Sequence, residues 1–379
     1  MRPRVKPALR RVLRDERTLQ FGVHPQHAVM VTDLTEPLRV WIESLDGTQD
    51  LSQALKAAAK AGMPEPDART LIAELTAQGV LDDASVPPTP LQDLPLLERD
   101  RLRPDLDALD LSRDTPAGGL AILGHRRERR VRVYGAGRVG ASIVNLLAAS
   151  GVGTIRVIDP ALTRPEDLVP GGLTWAELDL PREEAAVAAA DRVISAPSSH
   201  NPAPDEPSEP YVRLIAGGPY LNDRSDLPDL VILAPVGPLD GILVTELTAL
   251  NIPHLLVSAF EGYGTVGPLV HPSQSACLHC LDLTRRDRDR GWPMVTAHLG
   301  GYPAGEIACD TTLATLTAAE ATRHALAYLD GRPSIVTNGT IDIWPDWQRK
   351  RRTWAIHPQC RCIRNNPDSL RMVRATTRG

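Results

Sequence analysis

Lysine is almost missing from this 379-residue sequence. Of 42 basic residues only Lys6, Lys56, Lys60 and Lys350 are lysine, and none stands between Lys60 and Lys350. That gap excludes a GK[ST] phosphate loop, a lysine base and a Schiff-base lysine from the middle of the chain. Cysteine is absent from the first 276 residues; Cys277, Cys280, Cys309, Cys360 and Cys362 all follow. No apolar run approaches the ~20 residues of a membrane span. The basic N-terminus, MRPRVKPALRRVLRDER, lacks an apolar signal core and meets Asp15 and Glu16 at once, so the expected location is the cytoplasm, with no membrane partner. A net charge of −5 argues against a dedicated nucleic-acid binder. A hydrophobic content of 42% suits a soluble protein with a real core, and the length suggests two or three domains.

Residues 1–83 read as a small winged-helix-like domain. Gln20–Gly22 and Ala28–Thr32 are expected strands, and Pro37–Leu45, Leu51–Ala61 and Pro66–Gln78 expected helices, the last stopped by Gly79. Residues 84–117 read as a Pro-rich and charged linker. Four prolines between Ala84 and Leu97 predict extended chain rather than helix. Residues 118–345 alternate strands (Val131–Tyr134, Thr154–Ile158, Asp229–Ala234, His254–Ser258) with helices (Val139–Ser150, Cys309–Leu329). That alternation predicts an α/β, Rossmann-like domain with a mostly parallel sheet. Pro197–Pro210 reads as a surface loop. Residues 346–379 hold the last cysteine pair and a basic tail.

Two motifs carry chemistry. Gly135-Ala136-Gly137-Arg138-Val139-Gly140 is GxGxxG between an expected strand and an expected helix. Its glycines allow a tight turn and let a phosphate approach amides at the helix N-terminus. Asp159 closes the next strand, where it would grip a ribose hydroxyl. Gly135, Gly137, Gly140 and Asp159 are therefore candidate nucleotide-binding residues; a Rossmann fold that binds no nucleotide is the alternative. The second motif is a pair of pairs, Cys277-Leu278-His279-Cys280 and Cys360-Arg361-Cys362. Without an export signal, such spacing points to metal rather than disulfides. Four thiolates predict a closed structural zinc site, against the alternative of four unrelated thiols. His271, His279 and His357 flank the pairs as alternate ligands or bystanders. Cys309, alone beside Asp310 at the start of an alanine-rich helix, reads as a packed cysteine rather than a reactive one.

On these residues, over about 118–362, the chain resembles the ThiF and MoeB family of the ubiquitin-activating superfamily. The family's DxDxVxxSNLxRQ segment aligns without a gap to Asp159–Gly171. Asp159 and Leu168 match; Ala161 replaces the second Asp, and Asp167, Pro170 and Gly171 replace the Asn, Arg and Gln. The family's lysine falls at or near Arg182, which joins the candidate nucleotide-binding residues. The family's catalytic Asp falls on Val236, with Asp240 near enough to substitute. The resemblance implies ATP, magnesium and a homodimer. The substitutions imply that ATP and magnesium binding is weak or lost, because they remove a phosphate donor and a metal ligand.

A narrower resemblance rests on Val266–Val270, Cys277–Leu283, Arg285–Asp289, Trp292-Pro293 and Trp354–Cys362. These are similar to actinobacterial ThiF-like proteins grouped with azoline-forming cyclodehydratases. There the ThiF-like component presents a precursor peptide and a YcaO-type partner consumes ATP. Residues 1–83 resemble the PqqD-related peptide-recognition element, through Leu45-Asp46-Gly47-Thr48 before a helix. The implied function is a leader-peptide-binding scaffold deficient in adenylation. The alternatives are an active adenylyltransferase for a ubiquitin-like or sulfur-carrier protein, and a ligand-sensing winged-helix transcription factor. The last is disfavoured because Pro66–Gln78 sets only Arg69 against Asp67 and Glu74.

Overall fold

Leu19 and Phe21 alternate with Thr18 and Gln20, and a period of two buries one face of a strand. That strand is the middle of a sheet in the first of two units, Met1–Ile122 and Leu123–Gly379. The computed structural model describes residues 1–87, 89–92, 94–112, 118–195, 211–218, 221, 226–236, 239–298 and 308–362.

The first unit runs β1 (Pro3–Val5), β2 (Arg11–Asp15), β3 (Thr18–Phe21), β4 (Val29–Val31), α1 (Glu36–Glu43), α2 (Leu51–Lys60), α3 (Glu65–Ala77) and β5 (Leu81–Asp83). Strands β2, β3 and β4 form an antiparallel sheet in that order, and β1 pairs with β5. The expected helices are present. Asp50 and Gln53 form a reciprocal capping box that starts α2. Leu19, Phe21, Trp41, Ile42, Leu55, Ile72 and Leu75 close into one core. Strand β2 was not expected, because all five of its residues are exposed and show no alternation to read.

Within Ala84–Leu97 the structure departs from the extended chain expected, and the charged stretch that follows is helical. Helix α4 (Thr89–Gln92) and helix α5 (Leu96–Leu111) lie there. Pro90 stands in the first turn of α4 and Pro95 just before α5, where the missing N–H has no helical partner to lose. Leu102 and Leu106, four apart, bury one stripe of α5 despite its charge.

Helix α6 (Gly118–Arg127) leads into the second unit. It continues through β6 (Arg130–Tyr134), α7 (Gly140–Ala149), β7 (Thr154–Ile158), α8 (Arg182–Ile194), β8 (Arg213–Ala216), β9 (Leu230–Leu233), α9 (Gly241–Ala249), β10 (His254–Phe260) and β11 (Tyr263–Val270). Then follow α10 (Leu278–Arg288), α11 (Trp292–His298), α12 (Thr311–Leu329), β12 (Gly339–Ile343) and β13 (Arg349–Thr353). The described residues form an eight-stranded sheet in the order β13-β12-β11-β10-β9-β6-β7-β8. Pairings from β8 to β10 are parallel and those from β10 to β13 antiparallel. The α/β, mostly parallel architecture expected is present. Val131, Val133, Ile155, Val157, Ile232 and Leu255 bury one sheet face beside residues of α7, α8 and α12. Val231 and Leu233 bury the other beside residues of α9 and α10.

Chain order jumps from β6 to β7 on one side and to β9 on the other. In open α/β sheets the crevice at such a reversal, at the strands' carboxyl ends, receives ligands. The loop expected over Pro197–Pro210 lies outside the described residues. No helix among them is long and apolar enough to cross a membrane.

Candidate functional site

The glycine loop joins β6 to α7 at the sheet reversal. Gly135 has φ +91°, and a Cβ there would lie 2.1 Å from the Ala234 carbonyl oxygen, so only glycine lets β6 turn against the end of β9. Gly140 is the first residue of α7. Asp159, at the end of β7, accepts the Ala136 N–H at 2.8 Å. A cleft of about 600 Å³ opens beside the loop, lined by Tyr134, Asp159, Arg182, Leu233, Val236 and Leu243 among others. Burial raises the Tyr134 hydroxyl above its usual pKa. Gly135, Asp159 and Arg182, chosen from sequence, thus meet at one cleft.

Around this cleft the chain's own side chains engage the loop and one another. Val236 places Cγ2 2.6 Å from where a Gly137 Cβ would stand. Arg182 is buried and donates Nε to Asp167 at 2.9 Å and Nη1 to Asp159 at 3.4 Å. Asp167 is fully buried and also accepts the Arg164 N–H at 2.9 Å. The cation at the lysine position is therefore held between two carboxylates. Arg138 donates to the Glu166 and Leu168 carbonyls at 2.9 Å and to Thr311 Oγ1 at 3.0 Å. Pro170, where a phosphate-binding arginine was expected from the resemblance, is exposed. Asp240 lines the cleft but caps α9, accepting the Ile242 N–H at 2.8 Å.

Sequence reasoning missed the Arg182–Asp167 pair and the bracing by Arg138. A signal for the pair was present: the family's Asn position has become the anion Asp167, while its Lys position keeps a cation as Arg182. Cys309 packs among Val169, Leu313, Ala314 and Ile343, and burial raises its thiol pKa against the pull of Arg138. Asp310 is the N-cap of α12, so Cys309 stands just before that helix.

The four paired cysteines converge. Their Sγ atoms lie 3.7 Å (Cys277–Cys280), 3.6 Å (Cys277–Cys360) and 3.6 Å (Cys280–Cys362) apart, and all four lie within 4.8 Å of one another. These separations are far beyond a disulfide bond of ~2.05 Å. They match the roughly 3.8 Å edge of a tetrahedron with metal–sulfur bonds of ~2.3 Å. Burial and the neighbouring sulfurs push the Cys277 thiol up to about 12 and raise Cys362. Cys280 is buried too, but backbone donors at His357 and Cys277 help hold it below its usual value. Such a donor set fits a metal cation, which would stabilise all four as thiolates.

None of the flanking histidines joins the cluster among the described residues. His279 is exposed, and His271 packs edge-on against Tyr328. The His357 Nε2 meets Asp287 at 2.8 Å. Around the sulfurs, Leu278, Leu281 and Trp354 pack with Leu233 of the sheet's second face and Leu247 of α9, so the cluster ties the C-terminal segment to the domain.

In the first unit, β4 is an edge strand. Its Met30 pairs with Gln20 of β3 and is 54% exposed. Ile72 and Leu75 of α3 are buried in the core beneath the sheet, and Leu71 packs against them.

The profile of the ThiF family matches residues 119–362. No curated protein matches the sequence. Among solved structures, Escherichia coli MccB with MccA-N7isoASN is similar at 14% identity and a TM-score of 0.67, over 96% of this chain and 100% of that one. E. coli MccB with ATP has 14% identity and a TM-score of 0.66, over 96% and 99%. Selenomethionine PaaA has 14% identity and a TM-score of 0.65, over 93% and 100%. At that identity the likeness shows the fold.

Proposed function

The chain belongs to the ThiF family, and from that premise we propose that it is a peptide-presenting scaffold rather than an adenylating enzyme. Its N-terminal unit captures a ribosomal precursor peptide through the leader. The ThiF-type domain offers that peptide to a separate YcaO-type cyclodehydratase, which consumes the ATP. Residues 1–83 are the recognition unit, 118–345 the ThiF domain and 346–379 the zinc-ligand segment. The protein acts in the cytoplasm as a homodimer.

One observation carries this reading: the apolar Val236 lies against Gly137 of the glycine loop, and Arg182 is neutralised by Asp159 and Asp167. A triphosphate needs free cations and a metal carboxylate there. Peptide capture is supported by MccB, a Microcin C7 biosynthetic enzyme solved in complex with N-formylated MccA. An extended peptide can add to the β4 edge by main-chain hydrogen bonds. Zinc is the metal proposed for Cys277, Cys280, Cys360 and Cys362. It would screen the four thiolates and fix their geometry, with no open position for chemistry.

The ATP complex of MccB favours a second reading, active adenylation of a C-terminal carboxylate. In it Gly135, Gly137, Gly140, Asp159 and Arg182 hold the nucleotide and Asp240 serves magnesium. ATP–pyrophosphate exchange separates the two. The scaffold gives exchange at background, with or without a carrier protein. Robust exchange that disappears in Gly137→Asp would replace the scaffold by the adenylyltransferase.

Peptide capture has its own test. The full chain should bind a short precursor peptide encoded beside its gene. Met30→Pro, which removes one backbone donor from the edge strand, should weaken binding roughly three- to tenfold, the worth of one ladder hydrogen bond. Calorimetric titration with circular dichroism as a folding control reads it. Equal affinity in wild type and variant would exclude the β4 edge.

A further inference from the structure

Strand β13 forms one edge of the eight-stranded sheet, and its residues Arg349, Lys350, Arg351, Arg352 and Thr353 are all exposed. Arg349 pairs with Glu320 and Arg352 with Asp342. Lys350 and Arg351 have no carboxylate partner among the described residues. Lys350 instead stands 5.5 Å over the Trp344 ring, and Arg351 donates to the Ile335 carbonyl.

Aromatic side chains gather beside this edge. The sequence holds only 2 Phe, 6 Tyr and 6 Trp. Phe260 and Tyr263 flank the β10–β11 turn, and Trp344 and Trp347 lie in the β12–β13 connection. Tyr263 meets Trp344 edge-on at 6.3 Å, and Gly262 of the first turn approaches Pro345 of the second. Phe260, Tyr263 and Trp347 are each about half exposed. Trp347 has φ +64°, a left-handed backbone that bulky residues rarely adopt and that glycine or asparagine would take with less strain. The strained turn is closed by Trp347 N–H to the Trp344 carbonyl at 2.8 Å and Trp344 N–H to the Gln348 carbonyl at 3.0 Å. Its outcome is an exposed indole at the end of a basic strand.

We propose that the β13 edge and these two turns dock an acidic, extended segment of another polypeptide, which adds as a ninth strand. The open edge supplies main-chain donors and acceptors. The cations favour acidic residues on the incoming strand, and cross-strand opposite charges stabilise such a pair. The same cations repel a second copy of β13, so the edge is not a self-association strand. The exposed rings anchor apolar side chains at one end. A single-stranded nucleic acid would also meet cations and rings, but it has no peptide groups to pair with the edge, and the chain carries a net charge of −5. This surface is independent of whether the glycine loop binds ATP.

The test uses the full chain and a fluorescein-labelled peptide of about ten alternating Glu and Val residues, roughly 33 Å when extended. Fluorescence anisotropy should show binding of this peptide and none of a Lys/Val counterpart. N-methylation of the Glu/Val peptide along one edge should weaken it roughly tenfold or more, because the ladder is lost. Lys350→Glu with Arg351→Glu should weaken it by a similar factor, through loss of charge-assisted contacts. Trp347→Gly, which suits the left-handed turn, should also weaken binding while leaving the thermal midpoint unchanged or higher. If the charge-reversal variant misfolds by circular dichroism, the N-methyl and Trp347→Gly arms decide. The proposal is overturned by no binding, by equal binding of the N-methylated peptide, by comparable binding of oligothymidylate, or by undiminished binding to Trp347→Gly.

Discussion

Cys277→Ser is expected to detach the C-terminal segment and to lower the thermal midpoint severely. Structural zinc contributes an apparent ~10–16 kcal/mol, as much as the whole stability of a typical domain at ~5–15 kcal/mol. Cys277 is the N-cap of α10, and its sulfur neighbours both Cys280 and Cys360. Losing that thiolate breaks the link between the knuckle and the distal pair. Trp354 and Leu281, packed in the same cluster, lose their cover. A strong chelator should mimic the substitution. Acid should do the same, because each thiolate must give up its metal to take a proton and affinity falls as pH falls. Elemental analysis should find one zinc per chain. A pure, folded protein without zinc, or a midpoint indifferent to both chelator and Cys277→Ser, would reject the site.

Removing the Arg182 guanidinium is expected to cost about 3–5 kcal/mol, because it takes the nearer cation from buried Asp167 and leaves only Arg164 Nε, at 3.7 Å. Asp167 is wholly buried and the Arg182 side chain is 6% exposed, so water can screen neither. For a domain of this size that is a fall of roughly 6–20 °C in the thermal midpoint of Arg182→Met. The double variant Arg182→Met/Asp167→Leu should recover much of the loss, since deleting both charges leaves less uncompensated. If Arg182 instead serves a nucleotide, Arg182→Met would leave the midpoint unmoved and abolish ATP binding. Thermal unfolding of the single and double variants, each with and without ATP and magnesium, distinguishes these outcomes. The substitution therefore also weighs the scaffold against the adenylyltransferase.

What the sequence determined by itself is local or periodic. The GxGxxG turn, the parallel strand–helix alternation, the three small helices of the first unit and the two cysteine pairs are each written within a few residues. Backbone sterics and amphipathic spacing are short-range. The convergence of Cys277, Cys280, Cys360 and Cys362 was legible as well, because thiol pairs at ligand spacing have few other uses in such a chain.

The tertiary structure decided the rest. Helix α5 was hidden by its charge and prolines, since only packing shows that Leu102 and Leu106 form a buried stripe. Strand β13, five exposed residues with no alternation to read, shows itself only where β12 pairs with it. Arg182 reads as a phosphate ligand until the fold brings Asp159 and Asp167, 23 and 15 residues away, against its guanidinium. A buried charge takes its role from whichever opposite charge the fold places beside it. Val236 shows the same limit: its sequence position marks a lost aspartate, but only the close approach of β9 to the loop shows that its methyl fills the space beside Gly137.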